Sequence, residues 1–223
     1  MKRVPVPELL DSDAGTPAEV QATLADLRMV NRWFGGASTM CRLVERVADE
    51  TRRRQLSWLD IGGATGDIPE FVEQRLARRR IRLDAVVLDR ALSHMGRRLP
   101  AVAANAMQLP FAENSFDLVG SSLFVHHFEP GEVVRLINES LRVCRQAVLI
   151  NDLRRSHVHL ALVFAGFPLY RSRLTRNDGP ASIRRAYTLE ELRRMLQQTA
   201  ASRIDLSTHY LYRMGAIVWK LRA

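Results

Sequence analysis

The fold is decided by the stretch Leu59-Asp60-Ile61-Gly62-Gly63-Ala64-Thr65-Gly66-Asp67. An apolar strand pattern that starts at Leu56 ends here, and a helical pattern follows to about Arg79. Glycines between the two allow the backbone to approach a ligand closely, although Ala64 stands at one position where a glycine is expected. Dinucleotide enzymes use a similar turn, so this stretch by itself predicts a nucleotide-like ligand and no particular reaction.

Beyond this turn, short apolar runs alternate with helical patterns such as 91–99 and 130–143, which is typical of βα units and a parallel sheet. The predicted strands lie at about 56–61, 83–88, 101–104, 116–121, 146–150, 203–208 and 214–219. The connection between the last two is too short for a crossover helix, so they form an antiparallel pair at the sheet edge. The predicted fold class is α/β, with a doubly wound, seven-stranded, mostly parallel, Rossmann-like sheet.

The N-terminal part, residues 1–50, precedes this alternation. We interpret residues 1–16 as a loose lead-in with little to bury. A helical cap follows, whose first helix begins with a capping box of Thr16 and Glu19 and whose second helix is capped by Ser38.

A second segment, residues 153–187, interrupts the alternation. It mixes an apolar run with Pro168, Gly179 and Pro180 and matches no simple strand pattern. Long irregular insertions of this kind are usually lids or binding loops. We therefore divide the chain into a lead-in and cap at 1–50 and a ligand-binding domain at 51–223 that carries a substrate lid at 153–187.

The composition is that of a globular protein, with 47% hydrophobic and 26% charged residues among 223. No apolar run approaches the roughly 20 residues of a membrane span, and the first residues lack the apolar segment of a signal peptide. Cys41 and Cys144 are far apart and match no metal-ligand spacing, so we expect buried free thiols, no metal and a cytoplasmic protein.

The formal net charge of +9 comes mainly from arginine doublets and triplets such as Arg52-Arg53-Arg54. Most of these follow helical patterns, where cations complement the helix dipole and stay solvated. An acidic ligand or carrier protein is the alternative explanation. Nucleic acid is not expected as a partner, because no basic stripe is interleaved with aromatic residues.

Asp89 closes the second predicted strand, Leu83 to Leu88. An acid at this place in a βαβ unit can accept hydrogen bonds from both hydroxyls of a ribose. The alternative is a plain helix cap before Ala91. NAD enzymes carry the same acid, so Asp89 indicates a ribose ligand and leaves the reaction open.

Three further motifs follow in order: Asn105-Ala106-Met107-Gln108-Leu109-Pro110-Phe111, Glu113-Asn114-Ser115-Phe116-Asp117-Leu118-Val119 and Phe124-Val125-His126-His127-Phe128. Together with the glycine turn they resemble the class I S-adenosylmethionine-dependent methyltransferases, in the subgroup of quinone-biosynthesis and other small-molecule enzymes. The resemblance extends over residues 56–152. It implies that family's strand order, with six parallel strands and one antiparallel strand.

The resemblance also implies S-adenosylmethionine as the cofactor. Asn105 stands where the family commonly has an aspartate beside the adenine amino group, and its amide oxygen can accept the same hydrogen bond. Ala106 would offer its backbone amide to the ring, and Asp60 would lend negative charge near the ammonium and sulfonium groups. The predicted cofactor site consists of Asp60, Gly62, Gly63, Ala64, Gly66, Asp89, Arg90, Asn105, Ala106 and Ser121.

Methyl transfer needs an aligned nucleophile, exclusion of water and sometimes removal of a proton. His126 and His127 follow the fourth predicted strand and Asp152 follows the fifth, so all three are candidate catalytic residues at the mouth of the pocket. A structural, packed imidazole is the alternative for each histidine. An activated carbon acceptor would need less help from a base than a phenol would.

The cap and the lid are expected to select the methyl acceptor. Their aromatic and arginine residues suit a flat, anionic or phenolic molecule, and ordinary packing and surface charge are the alternative. We predict acceptor contacts from Trp33, Phe34, Tyr170, Arg173 and Arg184. Residues 176–188 also resemble bacterial methylases of aromatic polyketide pathways, which implies a role in secondary metabolism.

The predicted function is therefore O- or C-methylation of a small, aromatic or polyketide-like metabolite. The sequence Ser121-Ser122-Leu123-Phe124 lacks the Asn/Asp-Pro-Pro-aromatic motif of amino-directed nucleic-acid methylases. An NAD-dependent oxidoreductase and a non-catalytic cofactor-binding partner subunit remain as alternatives. The oligomeric state is left open, with a homodimer as one alternative.

Overall fold

The computed structural model describes residues 1–221, in which one seven-stranded sheet carries helices on both faces. The strands are β1 (Gln55–Ile61), β2 (Arg82–Asp89), β3 (Ala101–Ala103), β4 (Phe116–Ser122), β5 (Cys144–Leu153), β6 (Arg203–His209) and β7 (Arg213–Trp219). Their order is β3-β2-β1-β4-β5-β7-β6, and only β7 runs antiparallel to its neighbours. The predicted fold class, with six parallel strands and one antiparallel strand, is confirmed.

The strand order reverses between β1 and β4, which are direct neighbours in the sheet. In open α/β sheets ligands bind at such a switch point, beyond the carboxyl ends of the strands. The glycine turn therefore lies at the position where a ligand is expected. An NAD-binding sheet has the order 3-2-1-4-5-6 without a reversed strand between the last two, so an NAD-dependent oxidoreductase does not fit this topology.

The helices are α1 (Pro17–Trp33), α2 (Gly36–Thr51), α3 (Asp67–Ala77), α4 (Pro130–Val143), α5 (His157–Ala165), α6 (Arg173–Arg185) and α7 (Leu189–Leu196). α1 begins with the predicted capping box, since Thr16 and Glu19 bond each other's backbone amides. The predicted cap of α2 was wrong: Gly35 is its N-cap, and the Ser38 hydroxyl donates to the Gly35 carbonyl.

Two apolar cores lie on opposite faces of the sheet. α2 and α3 cover one face, where Trp58 and Leu118 are completely buried, and α4 and α7 cover the other, around Leu59 and Ile150. Parallel strands that are buried on both faces appear in the sequence as continuous apolar runs, so most of the strands could be predicted from those runs. Cys41 and Cys144 are buried free thiols, as predicted.

Two local predictions were wrong. Residues 153–187 are mostly helical, because Ser156 and Ser172 cap α5 and α6, and Pro180 lies inside α6 without ending it. The predicted helix at 91–99 is only a short 3-10 turn, Leu92–His94. Across residues 1–221, no helix combines the length and the apolar character needed to cross a bilayer.

The N-terminal strap, which we define as residues 1–16, is not the loose lead-in that the sequence predicted. The Asp178 side chain on α6 accepts hydrogen bonds from the backbone amides of Leu9 and Leu10. Near the start of the strap, Arg3 pairs with Glu129 at 2.9 Å. Buried or bidentate partners of this kind hold the strap against the carboxyl end of the sheet.

Candidate functional site

A cavity of about 710 Å³ opens at the carboxyl ends of the strands, within the size range of small-molecule sites. The glycine turn forms one wall, and the strap, α1, α5 and α6 form the cover. The predicted site residues that line it are Phe34, Asp60, Gly62, Gly63, Ala64, Asp89, Arg90, Asn105, Ala106, His126, His127 and Tyr170.

The glycine turn is shaped by close contacts. A Cβ atom on Gly62 would lie 2.5 Å from the Phe124 ring, and one on Gly63 would lie 2.5 Å from the Asp60 carboxylate. Ala64 adopts the left-handed conformation, with φ 42°, which costs an L-residue about 1–2 kcal/mol. Backbone strain of this kind is concentrated at functional sites, and here it accompanies the turn that faces the cavity.

Asp60 lies under this turn and is 1% exposed. Within residues 1–221, its Oδ1 atom has no hydrogen-bond partner. Burial raises the pKa of this carboxyl well above its ordinary value, and the nearby Asp67 and Asp89 raise it further. A cationic group in the cavity would reverse this effect, so Asp60 is suited to receive one.

Asp89 links the end of β2 to the glycine turn. Its Oδ2 atom accepts the backbone amide of Ala64 at 3.1 Å, and its Oδ1 atom accepts that of Ala91 at 3.0 Å. Each carboxylate oxygen can accept a second hydrogen bond, so Asp89 is both a local cap and an open acceptor. Asn105 is similar, because its side-chain oxygen accepts the Met107 amide at 2.9 Å and retains one lone pair.

His126 is completely buried between two carboxylates. Its Nδ1 atom lies 2.7 Å from Asp152 Oδ1, and its Nε2 atom lies 3.4 Å from Glu8 Oε1. Burial opposes protonation, but Asp152 and Glu8 outweigh it and raise the pKa of His126 to about 10. The predicted residues His126 and Asp152 are therefore brought together, and Glu8 is a member of the site that the sequence reasoning missed.

His127 has a similar arrangement in a less buried position. Its Nδ1 atom lies 3.2 Å from Asp11 Oδ2, and its Nε2 atom lies 4.0 Å from Glu8 Oε2. Arg185 lies beside both acids, with Nη1 at 3.2 Å from Asp11 and 3.8 Å from Glu8. The strap thus supplies two carboxylates to the pair of histidines.

Arg213, at the start of β7, was also missed. It is 1% exposed and lines the cavity, and burial lowers its pKa to about 10, which leaves it cationic at neutral pH. Its Nε atom donates to the Phe34 carbonyl at 3.4 Å, but its two Nη atoms lack hydrogen-bond partners among the described residues. A buried guanidinium with free donors is costly unless an anion pairs with it.

Asn31 lies beside this guanidinium. A Cβ on Gly36 would be 2.7 Å from Asn31 Oδ1 and 3.3 Å from Arg213 Nη2, so the two side chains flank the same glycine. Asn31 donates to Asp67 Oδ2 at 3.1 Å, and Asp67 is one of the charges that act on Asp60. Asp60 and Arg213 therefore belong to one end of the cavity, linked through Asp67 and Asn31.

Some predicted site residues lie elsewhere. Trp33 is 71% exposed and outside the cavity lining, because α1 ends there and only Phe34 turns inward. Arg173 pairs with Glu19 at 2.5 Å on the surface, and Arg184 lies 6.0 Å from the Phe164 ring. Ser121 points away from the cavity towards α4, because side chains alternate along β4 and Ser122 occupies the lining position.

Residues 59–150 match the family model of a methyltransferase domain. A comparison with curated proteins gives no match. Among solved structures, the chain is similar to the plantazolicin methyltransferase BpumL in complex with a triazolic desmethylPZN analog and SAH, at 14% identity and a TM-score of 0.70 over 96% of this chain and 95% of that one.

Two more solved structures share the fold at lower TM-scores. The magnesium protoporphyrin IX methyltransferase ChlM from Synechocystis PCC 6803 is 13% identical, with a TM-score of 0.55 over 84% of each chain. A SAM dependent methyltransferase from Aquifex aeolicus is 14% identical, with a TM-score of 0.55 over 79% of this chain and 89% of that one. Because these sequence identities are 14% or lower, the comparison with the solved structures shows a shared fold and nothing more.

Proposed function

We propose that the chain is a class I S-adenosylmethionine-dependent methyltransferase that methylates an oxygen or carbon atom of a small aromatic metabolite. The observation that carries this proposal is that the glycine turn and an apolar chamber share one cavity beneath one cover. Two neighbours in fold are named as methyltransferases of plantazolicin and of magnesium protoporphyrin IX, which supports a small-molecule acceptor.

The unpartnered groups of the cavity fit the cofactor. S-adenosylmethionine carries an ammonium and a carboxylate at one end, and Asp60 Oδ1 and the Arg213 Nη atoms are buried groups that lack such partners among residues 1–221. Asp89 would accept from the ribose hydroxyls and Asn105 from the adenine amino group through their remaining lone pairs. When bound, the cofactor supplies an electrophilic methyl group on its sulfonium.

The acceptor would occupy the part of the cavity that lies beneath the cover. This part is lined by apolar side chains of α1 and of the 153–187 segment, namely Leu24, Leu27, Phe34, Leu162, Val163 and Tyr170. Its surface suits a flat, apolar molecule with a few polar groups. We assign residues 1–50 and 153–187 to this cover, and residues 51–223 to the domain that holds the cofactor.

Two of the predicted catalytic residues, His126 and His127, line the polar end of this chamber, and the third, Asp152, contacts His126 from outside the lining. Asp152 holds His126 through the imidazole Nδ1 atom and through the His126 backbone amide, at 2.7 and 3.1 Å. His127 is the partly exposed member of the pair and faces the same cavity. These residues would orient the acceptor's polar group, while the cover excludes water, and such positioning provides most of the catalysis that methyl transfer needs.

Ligand binding and turnover test the proposal together. We expect S-adenosylhomocysteine, and not NADH, to raise the melting temperature, because a ligand stabilises the state that binds it. Incubation of a cell extract with methyl-labelled S-adenosylmethionine should then yield a product heavier by one labelled methyl group. Stabilisation by NADH alone would overturn the proposal. Cofactor binding without any labelled product would identify a non-catalytic partner subunit instead.

A further inference from the structure

Three side chains from distant parts of the chain converge at the acceptor end of the cavity. Glu8 comes from the strap, and His126 and His127 come from the short turn after β4. One ligand atom from each lies within 4.8 Å of the others, and the two histidine Nε2 atoms lie 3.4 Å (His126) and 4.0 Å (His127) from the Glu8 carboxylate oxygens. Ligand atoms at about 2.0–2.2 Å from a tetrahedral metal ion are about 3.4 Å apart, so this spacing suits a shared ion.

The two facing atoms of the Glu8–His126 pair have another charged neighbour, since Arg185 Nη1 lies 3.8 Å from Glu8 Oε1. In the part of the chain that the structure describes, Glu8 Oε1 and His126 Nε2 are both buried without a hydrogen bond. Buried polar atoms are nearly always satisfied, because leaving them unpaired costs about 1–3 kcal/mol each. An occupant between the two atoms would satisfy both at once.

The opposite sides of both imidazoles are held by carboxylates. His126 Nδ1 lies 2.7 Å from Asp152, and His127 Nδ1 lies 3.2 Å from Asp11. A carboxylate only accepts, so each Nδ1 atom donates to its partner, and each Nε2 atom is directed at Glu8, where a bound ion would displace any proton that Nε2 carries. Metal-binding histidines are oriented in this way, by a second carboxylate that fixes the tautomer and increases the basicity of the ligating nitrogen.

We infer that Glu8, His126 and His127 form a binding site for a divalent transition-metal ion of the Zn²⁺ type. Two histidines and one carboxylate are a ligand set that zinc and related ions bind. Around the cluster, three carboxylates (Glu8, Asp11 and Asp152) face the histidines and Arg185 lies beside two of them, so a divalent cation would take the place of the proton that offsets this negative charge at His126.

Three protein ligands leave a coordination position free, and the cavity adjoins it. An ion there would bind an acceptor hydroxyl, lower its pKa and hold its oxygen in place as a Lewis acid. This catalytic role depends on the proposed methyltransferase function, whereas metal binding does not. The expectation of no metal rested on the cysteines, and this cluster has no sequence signature because Glu8 is more than a hundred residues away from the histidines.

The test is a titration of chelator-treated protein with Zn²⁺ against a competing indicator, without acceptor. We expect one ion per chain, at least tenfold weaker binding in Glu8→Gln and His127→Ala, and tenfold or more weaker binding in Asp152→Asn because an orienting carboxylate is lost. His94→Gln is the matched control, since His94 also pairs with a strap carboxylate, Asp13, at 2.6 Å but lies outside the cluster. It should bind Zn²⁺ as the unmodified chain does.

Two further measurements distinguish loss of the metal site from unfolding of a variant and from failure of the methyltransferase proposal. Each variant should bind S-adenosylhomocysteine as the unmodified chain does, and Co²⁺ should give visible absorption bands that Glu8→Gln loses. If Zn²⁺ fails to bind stoichiometrically, or if Glu8→Gln and His127→Ala bind it unchanged, the inference is overturned and a proton joins Glu8 to His126 instead. Neither result depends on whether a methylated product is found.

Discussion

The Asp26 carboxylate on α1 accepts the backbone amide of Ser172 at 3.0 Å, and so ties the N-terminal cap to the first turn of α6. The same carboxylate accepts the Arg171 amide and the Thr175 hydroxyl, and Asp26 is only 1% exposed. Because these donors surround one buried acid, the two segments that cover the cavity act as a unit.

Asp26→Asn tests this link. The amide keeps the size of the carboxylate but turns one acceptor into a donor that faces other donors, so we expect the free energy of unfolding to fall by about 1–3 kcal/mol. Urea denaturation measures the change. Asp49→Asn is the control, because the exposed Asp49–Arg79 pair should contribute less than about 1 kcal/mol. Equal losses in the two variants would contradict the assigned role of Asp26.

Two substitutions in the glycine turn should have opposite effects on the free energy of unfolding. Ala64 has φ 42° and Gly66 has φ 76°. Ala64→Gly removes left-handed strain, so the free energy of unfolding should stay unchanged or rise by up to about 1 kcal/mol. Gly66→Ala introduces that strain, and its Cβ atom would lie only 3.2 Å from the Leu99 side chain. This substitution should therefore lower the free energy of unfolding by about 1–2 kcal/mol. Thermal denaturation of both variants checks the signs, and a stabilising Gly66→Ala would refute the reasoning.

The sheet could be predicted from sequence because its strands are buried on both faces and appear as apolar runs bounded by helix signals. Val148 and Ile150 on β5, for example, are 2% and 0% exposed. The Leu92–His94 turn and α6 could not be predicted in the same way. Gly179 and Pro180 usually end helices, but capping by Ser172 and packing of Leu174 in the interior outweigh their propensities.

The candidate site was predicted where local sequence determines it and missed where distant segments meet. Asp60 and Asp89 lie near the carboxyl ends of β1 and β2, and the two histidines follow β4, so the parallel topology places them at one edge. Glu8 follows Pro5 and Pro7 in a segment without regular secondary structure, and Arg213 begins the reversed strand β7. No local pattern distinguishes either residue, because their burial depends on contacts with α6 and α2 that only the folded chain makes.

Asp89→Ala should weaken binding of the cofactor through its ribose. Loss of a carboxylate that pairs with ligand hydroxyls costs about 2 kcal/mol, or about 30-fold in dissociation constant. Isothermal titration with S-adenosylhomocysteine measures the change. Asp84→Asn on the same strand is the control, because Asp84 pairs with Arg82 on the surface at 3.0 Å. Unchanged affinity in Asp89→Ala would exclude the ribose role.

Protonation of His159 should lower the free energy of unfolding in mild acid. Burial lowers its pKa to about 4 and outweighs the hydrogen bond from Nδ1 to the Arg154 carbonyl, which raises the pKa, while the charges of Arg213 and Arg154 lower it further. Folding therefore favours the neutral imidazole. The stabilising effect is complete above the ordinary pKa of 6.5 and is lost as the pH falls from 6.5 to about 4. Over this range the unmodified chain should lose up to about 1.4 kcal/mol per pH unit relative to His159→Gln.

Urea denaturation at several pH values measures this difference. His157→Gln, which alters an exposed histidine two residues away, should follow the unmodified chain throughout the range. If His159→Gln shows the same pH dependence as the unmodified chain, then His159 does not account for the acid sensitivity.

Arg213 allows the two ends of the cofactor to be tested separately. Arg213→Met keeps an unbranched side chain but removes the buried guanidinium, whose Nη atoms lack partners within residues 1–221. We expect affinity for S-adenosylhomocysteine, which has an amino-acid carboxylate, to fall at least tenfold. Affinity for 5′-methylthioadenosine, which lacks the amino-acid end, should stay unchanged, whereas Asp89→Ala should weaken the binding of both ligands.

Because an unpaired buried charge is removed, the melting temperature of Arg213→Met without ligand should not fall. Equal weakening of the two ligands in Arg213→Met would show that Arg213 supports the cavity as a whole and does not pair with the carboxylate.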